Sequence, residues 1–278
     1  MKILNTAFKM AALGACALAS LNASADEAKI VIDGSTTVGP IAKAFADYYK
    51  ERNPKVNITI SESGSGNGVK SLMNKACNIA NMSRFMKAGE FKSCVEKGVC
   101  PVATVVAFDG LAVVVNPENK VNSISLEDAA KIYRGEIRNW KELGGDDAEI
   151  IVISRDTNSG TFETFNELVM KKTDLAKNVE YVNSNGQART RVNTTKNAIG
   201  YVGLGFVDSS VKPLSVNGVL PSKKTIASGK YAIARPLYMF TDGYPKMGSP
   251  LFDFINIYLT EDGQDIISDI GYVPLTDY

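Results

Sequence analysis

The chain has 278 residues, 45% of them apolar and 22% charged, with 31 Lys and Arg against 30 Asp and Glu and no histidine. That is the make-up of a folded globular protein, and its balanced charge excludes a broad nucleic-acid footprint, which needs a basic excess to neutralise phosphates. Without histidine there is no Ser-His-Asp triad and no His-rich zinc site, which leaves binding, or carboxylate, lysine or cysteine chemistry.

Residues 1–25 read as an export signal. Lys2 and Lys9 accompany the apolar run Met10 to Leu21, and Ala23-Ser24-Ala25 meets the small-residue rule for cleavage, leaving Asp26 first. A rival reading takes Leu13-Gly14-Ala15-Cys16 as a lipoprotein box ending in a lipidated Cys16. The apolar segment before that cysteine is then shorter than the ~7 to 15 residues a signal uses. No later stretch reaches the ~20 apolar residues that cross a bilayer, so a soluble, exported, periplasmic chain is expected. In an oxidising compartment Cys94 and Cys100 are the natural disulfide, with Cys77 left as a buried small hydrophobe. Three cysteines without histidine make a poor metal site, and neither metal nor cofactor is expected.

Residues 26–278 suffice for two lobes. Their useful pattern is a unit met three times: a short β-branched strand, a turn of Ser, Thr and Gly, then an amphipathic helix. The first runs from Lys29-Ile30-Val31-Ile32 through Asp33-Gly34-Ser35-Thr36-Thr37 to Ile41, Phe45, Tyr48 and Tyr49 at helical spacing, with Pro40 where a first turn tolerates it. The second runs from Val56 to Ile60 through Ser61-Glu62-Ser63-Gly64-Ser65-Gly66-Asn67-Gly68 to Val69, Leu72, Met73 and Ala76. Asn81-Met82-Ser83-Arg84 precedes another expected helix. The third unit runs from Ile150 to Ile153 through Ser154-Arg155-Asp156-Thr157-Asn158-Ser159-Gly160-Thr161 to Phe162, Phe165, Leu168 and Val169.

Each polar turn thus lies at the carboxyl end of a strand and the amino end of a helix, where unpaired backbone N–H groups and the positive end of the helix dipole attract anions. One such turn is an ordinary helix cap. Several together, with the guanidinium groups of Arg84 and Arg155 beside them, point to convergence on one anion. Two apolar strands are expected to cross between lobes. Val102 to Phe108 leads through a hinge turn at Asp109-Gly110 into Leu111 to Val115, and Arg235 to Phe240 returns. Lobe 1 is then 26–110 plus 235–278 and lobe 2 is 111–234, with the anion in the cleft between them.

These stretches closely resemble the periplasmic phosphate-binding proteins that feed the Pst-type ABC importer, over essentially the whole mature chain. The resemblance is carried by Gly34-Ser35-Thr36-Thr37-Val38, Ser63-Gly64-Ser65-Gly66-Asn67-Gly68, Met82-Ser83-Arg84, Phe108-Asp109-Gly110-Leu111-Ala112-Val113, Ser154-Arg155 and Ser159-Gly160-Thr161. It implies a two-lobed α/β binding protein of type II, two sheets with flanking helices joined by two crossing strands, that closes on inorganic phosphate and docks on a membrane permease as a monomer. By position it implies a hydroxyl and an amide from Thr36 and Thr37, the Ser65 hydroxyl, the Arg155 fork, and the donors Ser159, Gly160 and Thr161. Ser35, Ser83 and Arg84 complete the candidate set.

One departure matters. Some members place an acceptor aspartate just after the serine of the fourth turn, where this chain has Arg84. Phosphate near neutral pH keeps a proton that sulfate lacks, so a carboxylate that accepts it favours phosphate. Asp109 is the expected acceptor, the alternative being an Asp that only stabilises its turn. Arg84 either binds the anion or pairs with Asp109. Rival readings are a receptor for tungstate, molybdate or sulfate, and a phosphate-ester hydrolase. The hydrolase lacks histidine, a cluster of metal carboxylates and a Walker-type turn.

Overall fold

The computed structural model describes residues 29–276. The expected signal segment and Cys16 lie outside the described residues. Among those described, no helix is long and apolar enough to cross a membrane.

In chain order the first part holds β1 (Lys29–Gly34), α1 (Gly39–Arg52), β2 (Asn57–Ser61), α2 (Ser65–Met73), β3 (Ile79–Met82), α3 (Ala88–Glu96) and β4 (Pro101–Val115). The middle holds β5 (Ser123–Ile124), α4 (Leu126–Arg134), β6 (Ile151–Arg155), α5 (Gly160–Leu168), β7 (Glu180–Val182), α6 (Asn185–Thr194), β8 (Ala198–Gly203), β9 (Lys212–Pro213), β10 (Ser215–Val216) and α7 (Lys223–Ala227). β11 (Ala234–Asp242), α8 (Pro250–Ile255) and α9 (Glu261–Asp269) close the chain. The three expected strand–turn–helix units are β1 with α1, β2 with α2 and β6 with α5. In α1, Pro40 sits in the first turn, Ile41, Phe45 and Tyr49 are buried at four-residue spacing, and Lys50 and Arg52 occupy the negative end of the dipole.

The strands lie in the order β2-β1-β3-β11-β4-β8-β6-β7. β1 is parallel to β2 and β3, and β6 is parallel to β7 and β8. β4 is common to both halves: Pro101 to Gly110 runs antiparallel to β11, and Leu111 to Val115 runs antiparallel to β8. The result is a two-lobed, mixed α/β molecule in which each half of the sheet is covered on both faces. Ile32, Phe45, Ala107, Leu237 and Phe254 fill one face of the first half, and Val69, Leu72, Met82 and Phe240 the other. In the second half β4 alternates strictly, with Leu111, Val113 and Val115 packed beside Tyr133, Trp140 and Tyr201, and Ala112 and Val114 beside Ile153 and Val192.

Two expectations are corrected here. Asp109-Gly110 is not a turn, because the apolar runs on either side of it find different partners instead of folding back on each other. Asp109 stands opposite Arg235 and Gly110 opposite Ala234. Glycine is needed for close approach, since a Cβ at Gly110 would lie 2.5 Å from Ile226 Cδ1. Nor do Cys94 and Cys100 pair; Cys77, Cys94 and Cys100 are all free thiols. Cys94 points from α3 into the core, whereas Cys100 is exposed at the mouth of β4. The Lys97 and Val99 amides fold back onto the Cys94 carbonyl, and Asp242 and Gly243 hold the Cys100 backbone, so nearness in sequence does not bring the two thiols together. Burial, with Asp33 nearby, pushes the Cys77 thiol up to about 12, which makes it an inert small hydrophobe.

Candidate anion-binding site

The polar turns converge where the two halves meet. Arg155, the last residue of β6, donates from Nη2 to Thr36 Oγ1 at 3.3 Å and to the Asn183 carbonyl at 2.9 Å. Asn185, at the start of α6, donates from Nδ2 to Thr36 Oγ1 at 3.1 Å and to Thr37 Oγ1 at 2.9 Å. Thr37 Oγ1 lies 3.0 Å from Thr161 Oγ1, and Arg235 Nη2 reaches that same Thr161 oxygen at 2.9 Å. The other arm of Arg235 donates to Thr164 Oγ1 at 3.3 Å. Ser65 Oγ accepts from the Ser83 amide at 3.1 Å, and a Cβ added at Gly160 would lie 2.6 Å from both the Ser65 and the Ser83 hydroxyl oxygens. Only glycine lets the amino end of α5 come so close to the first half.

The direction of these bonds carries chemical meaning. Ser159 Oγ accepts from the Thr161 and Phe162 amides, each at 3.2 Å, and Ser35 Oγ accepts from the Thr37 and Val38 amides at 3.1 and 3.4 Å. Thr36 Oγ1 accepts from Arg155 and Asn185. A hydroxyl oxygen already occupied as an acceptor has its own proton left to give, so the ring is biased toward donation. Such a surface suits an anion and repels a cation.

Arg155 is a cation of this ring that no carboxylate pairs among the described residues, and it is 1% exposed. Its backbone N–H donates to the Tyr201 hydroxyl at 3.1 Å, and its Nε to the Val182 carbonyl at 3.3 Å. Nη1 has no hydrogen-bond partner among the described residues. Burial lowers its pKa to about 10, still cationic at neutral pH. A desolvated cation with an unmatched N–H group fits an oxyanion ligand, since burying charge without a partner is costly.

Arg235 was not among the expected site residues, nor was Asn185. Arg235 is 5% exposed, and it forms a buried pair with Asp109: Oδ2 accepts from Nη2 at 2.9 Å and from Nε at 3.3 Å. Asp109 Oδ1 accepts from the Leu204 amide at 2.9 Å. Burial pushes the Asp109 carboxyl above the usual carboxylate range and the Arg235 guanidinium below its own, each pairing offsetting only part of the desolvation. The signal for Arg235 was its place near the start of the returning strand, as Asp109 lies where the outgoing one passes from the first half to the second. Ser184-Asn185-Gly186 is a fifth polar turn before a helix, hidden because β7 is only three residues long.

Arg84 is not brought into the ring. Its fork closes on Glu90 at 2.7 and 2.8 Å and on the Phe85 carbonyl at 2.9 Å. It does not pair with Asp109 either, since Arg235 holds that position. Ser35, Thr36, Thr37, Ser65, Ser83, Ser159, Gly160 and Thr161 all lie at the junction. Two contacts nearby tie the halves directly: the Gly66 amide donates to the Asn158 carbonyl at 2.9 Å, and Lys87 Nζ lies 2.5 Å from Glu163 Oε1.

Fold and site together define a two-lobed solute-binding protein with hydrogen-bond donors lining the junction of its halves, and the profile of the PBP superfamily domain matches residues 20–259. The phosphate-binding protein PstS of Borreliella burgdorferi is 36% identical over 90% of this chain and 91% of its own length. PstS of Bacillus subtilis is 33% identical over 99% and 93%. Among solved structures, a phosphate ABC transporter substrate-binding protein with bound phosphate from Clostridium perfringens superposes with a TM-score of 0.83 at 33% identity, covering 89% of this chain and 100% of that one. The chain belongs to the PstS-like phosphate-binding proteins of the PBP superfamily.

Proposed function

We propose that this chain captures inorganic phosphate between its lobes and delivers it to a membrane ABC importer, acting as a receptor and not as an enzyme. The observation that carries this reading is the ring of acceptor-saturated hydroxyls around the unmatched Nη1 of Arg155. The names of its relatives supply the anion. Thr36, Thr37, Ser65, Ser83, Arg155, Ser159, Gly160 and Thr161 are the proposed contacts, joined by Asn185 and Arg235. Ser35 shapes the first turn. Asp109 is proposed to accept the phosphate proton while holding Arg235.

The lobes are proposed to divide at 110/111 and 234/235, so that β4 and β11 both pass between them. Contacts to both lobes exist together only in the closed form, so the ligand favours closure. Residues 1–25 are proposed to direct export to the periplasm.

The test is titration calorimetry of the purified, ligand-stripped mature chain with phosphate, sulfate, molybdate and tungstate. One-to-one binding of phosphate, uncompeted by sulfate, is expected. Preference for sulfate, molybdate or tungstate would overturn the choice of anion, and absence of any oxyanion binding would overturn the reading of the site.

A further inference from the structure

We propose that Asp33 is a positioning residue for anion capture, one that sets the glycine-rich turn before α2 without touching the ligand. The inference rests on the phosphate reading above. Asp33 is the next-to-last residue of β1, and each of its carboxylate oxygens accepts one serine hydroxyl. Ser63 Oγ donates to Oδ1 at 2.6 Å and Ser71 Oγ to Oδ2 at 2.5 Å. These serines bracket Ser65: one lies in the turn and the other within α2. The carboxylate therefore ties both the turn and the body of the helix to the strand that carries Thr36 and Thr37 just beyond its end.

The surrounding backbone has little slack. The Gly64 amide donates to the Gly34 carbonyl at 2.7 Å, and Gly64 holds a φ of 97°, in the region that favours glycine. A Cβ at Gly68 would lie 2.8 Å from Gly34 Cα and 3.0 Å from the Asp33 carbonyl oxygen. The helix thus rests on the strand end, and the two serine bonds fix its rotation and its height there. Rotation matters because Ser65 Oγ meets Ser83, and the Gly66 amide meets Asn158 across the cleft. Among the described residues no Lys or Arg forms an ion pair with Asp33, so its two hydroxyl partners define its work. Two charge-assisted bonds from one carboxylate are stronger and more directional than neutral ones.

The experiment measures phosphate affinity by calorimetry, and the unfolding temperature without phosphate, for Asp33→Ala, Asp33→Asn, Ser65→Ala, Asp33→Ala with Ser65→Ala, and Ser63→Ala with Ser71→Ala. Asp33→Ala is expected to weaken phosphate binding roughly tenfold, the size of one misplaced hydrogen bond to a charged ligand. Asp33→Asn should recover part of that loss. Ser63→Ala with Ser71→Ala should reproduce it without altering the strand. In the Ser65→Ala background the Asp33→Ala change should weaken binding by no more than about twofold, because the two act through one donor. A lowered unfolding temperature with affinity unchanged, or the same tenfold loss with and without Ser65, would overturn the proposal. Failure of the unaltered chain to bind phosphate would overturn the reading beneath it.

Discussion

Arg155→Gln should weaken phosphate binding by about a hundredfold or more, from loss of charge-assisted bonds totalling about 3 kcal/mol at ~1.4 kcal/mol per tenfold. Its effect on the ligand-free protein should have the opposite sign. Arg155 is a buried cation whose fork is only partly matched, its Nη1 lacking a partner among the described residues. Removing it relieves a desolvation penalty, so the unfolding temperature without phosphate should hold or rise by a few degrees while the phosphate-dependent increase disappears. Arg155→Lys keeps the charge but not the planar fork, and should fall between the two. Calorimetry with paired melts at zero and saturating phosphate checks all three. Affinity within about threefold of the unaltered chain for Arg155→Gln would contradict the assignment.

The second large effect is expected at the Asp109–Arg235 pair. Asp109→Asn leaves a buried guanidinium without its counter-charge and should destabilise the protein by about 3 to 5 kcal/mol, whereas Asp109→Asn with Arg235→Gln should recover much of that loss. The single substitution also adds a net positive charge beside Thr37 and Thr161 and removes a carboxylate able to accept a proton. Sulfate affinity relative to phosphate should therefore rise by roughly tenfold, a shift of about 1.4 kcal/mol. Denaturant unfolding of the two variants measures the first effect, and competition calorimetry with sulfate the second. A double variant no more stable than the single one would show that the pair is not the unit described, and unchanged selectivity would remove Asp109 as the proton acceptor.

The parts legible in the sequence were those written locally. The three strand–turn–helix units could be read because hydrophobic period and turn chemistry both live within about a dozen residues. The anion-facing turns followed, since the amino end of a helix has the same polarity wherever it is placed. What escaped reading depended on register and direction. Arg235 and Asn185 reach the site only because β11 sets Arg235 opposite Asp109 and α6 begins beside β1. Arg84, next to a polar turn, was the natural second guanidinium, yet Glu90 six residues on takes its fork. The cysteines teach the same point. Six residues of spacing permit a bridge, but α3 turns Cys94 inward to pack with Val99 and Phe240, while Cys100, just before β4, is left exposed.

The position of β11 governs the order in which the molecule can assemble. β11 comes from residues 234–242, yet it lies in the interior of the sheet, pairing with β3 on one side and β4 on the other. Until it arrives, β1, β2 and β3 have no hydrogen-bonded connection to β4, and β3 presents an open edge. β6 and β8, by contrast, are complete by residue 203. Joining strands so far apart in the chain carries a loop-closure cost that slows assembly. Pulsed hydrogen exchange during refolding should therefore protect the amides of β6 and β8 before those of β3, with β3 and β11 gaining protection together. Early protection of β3 without β11 would show that the start of the chain does not wait for its end.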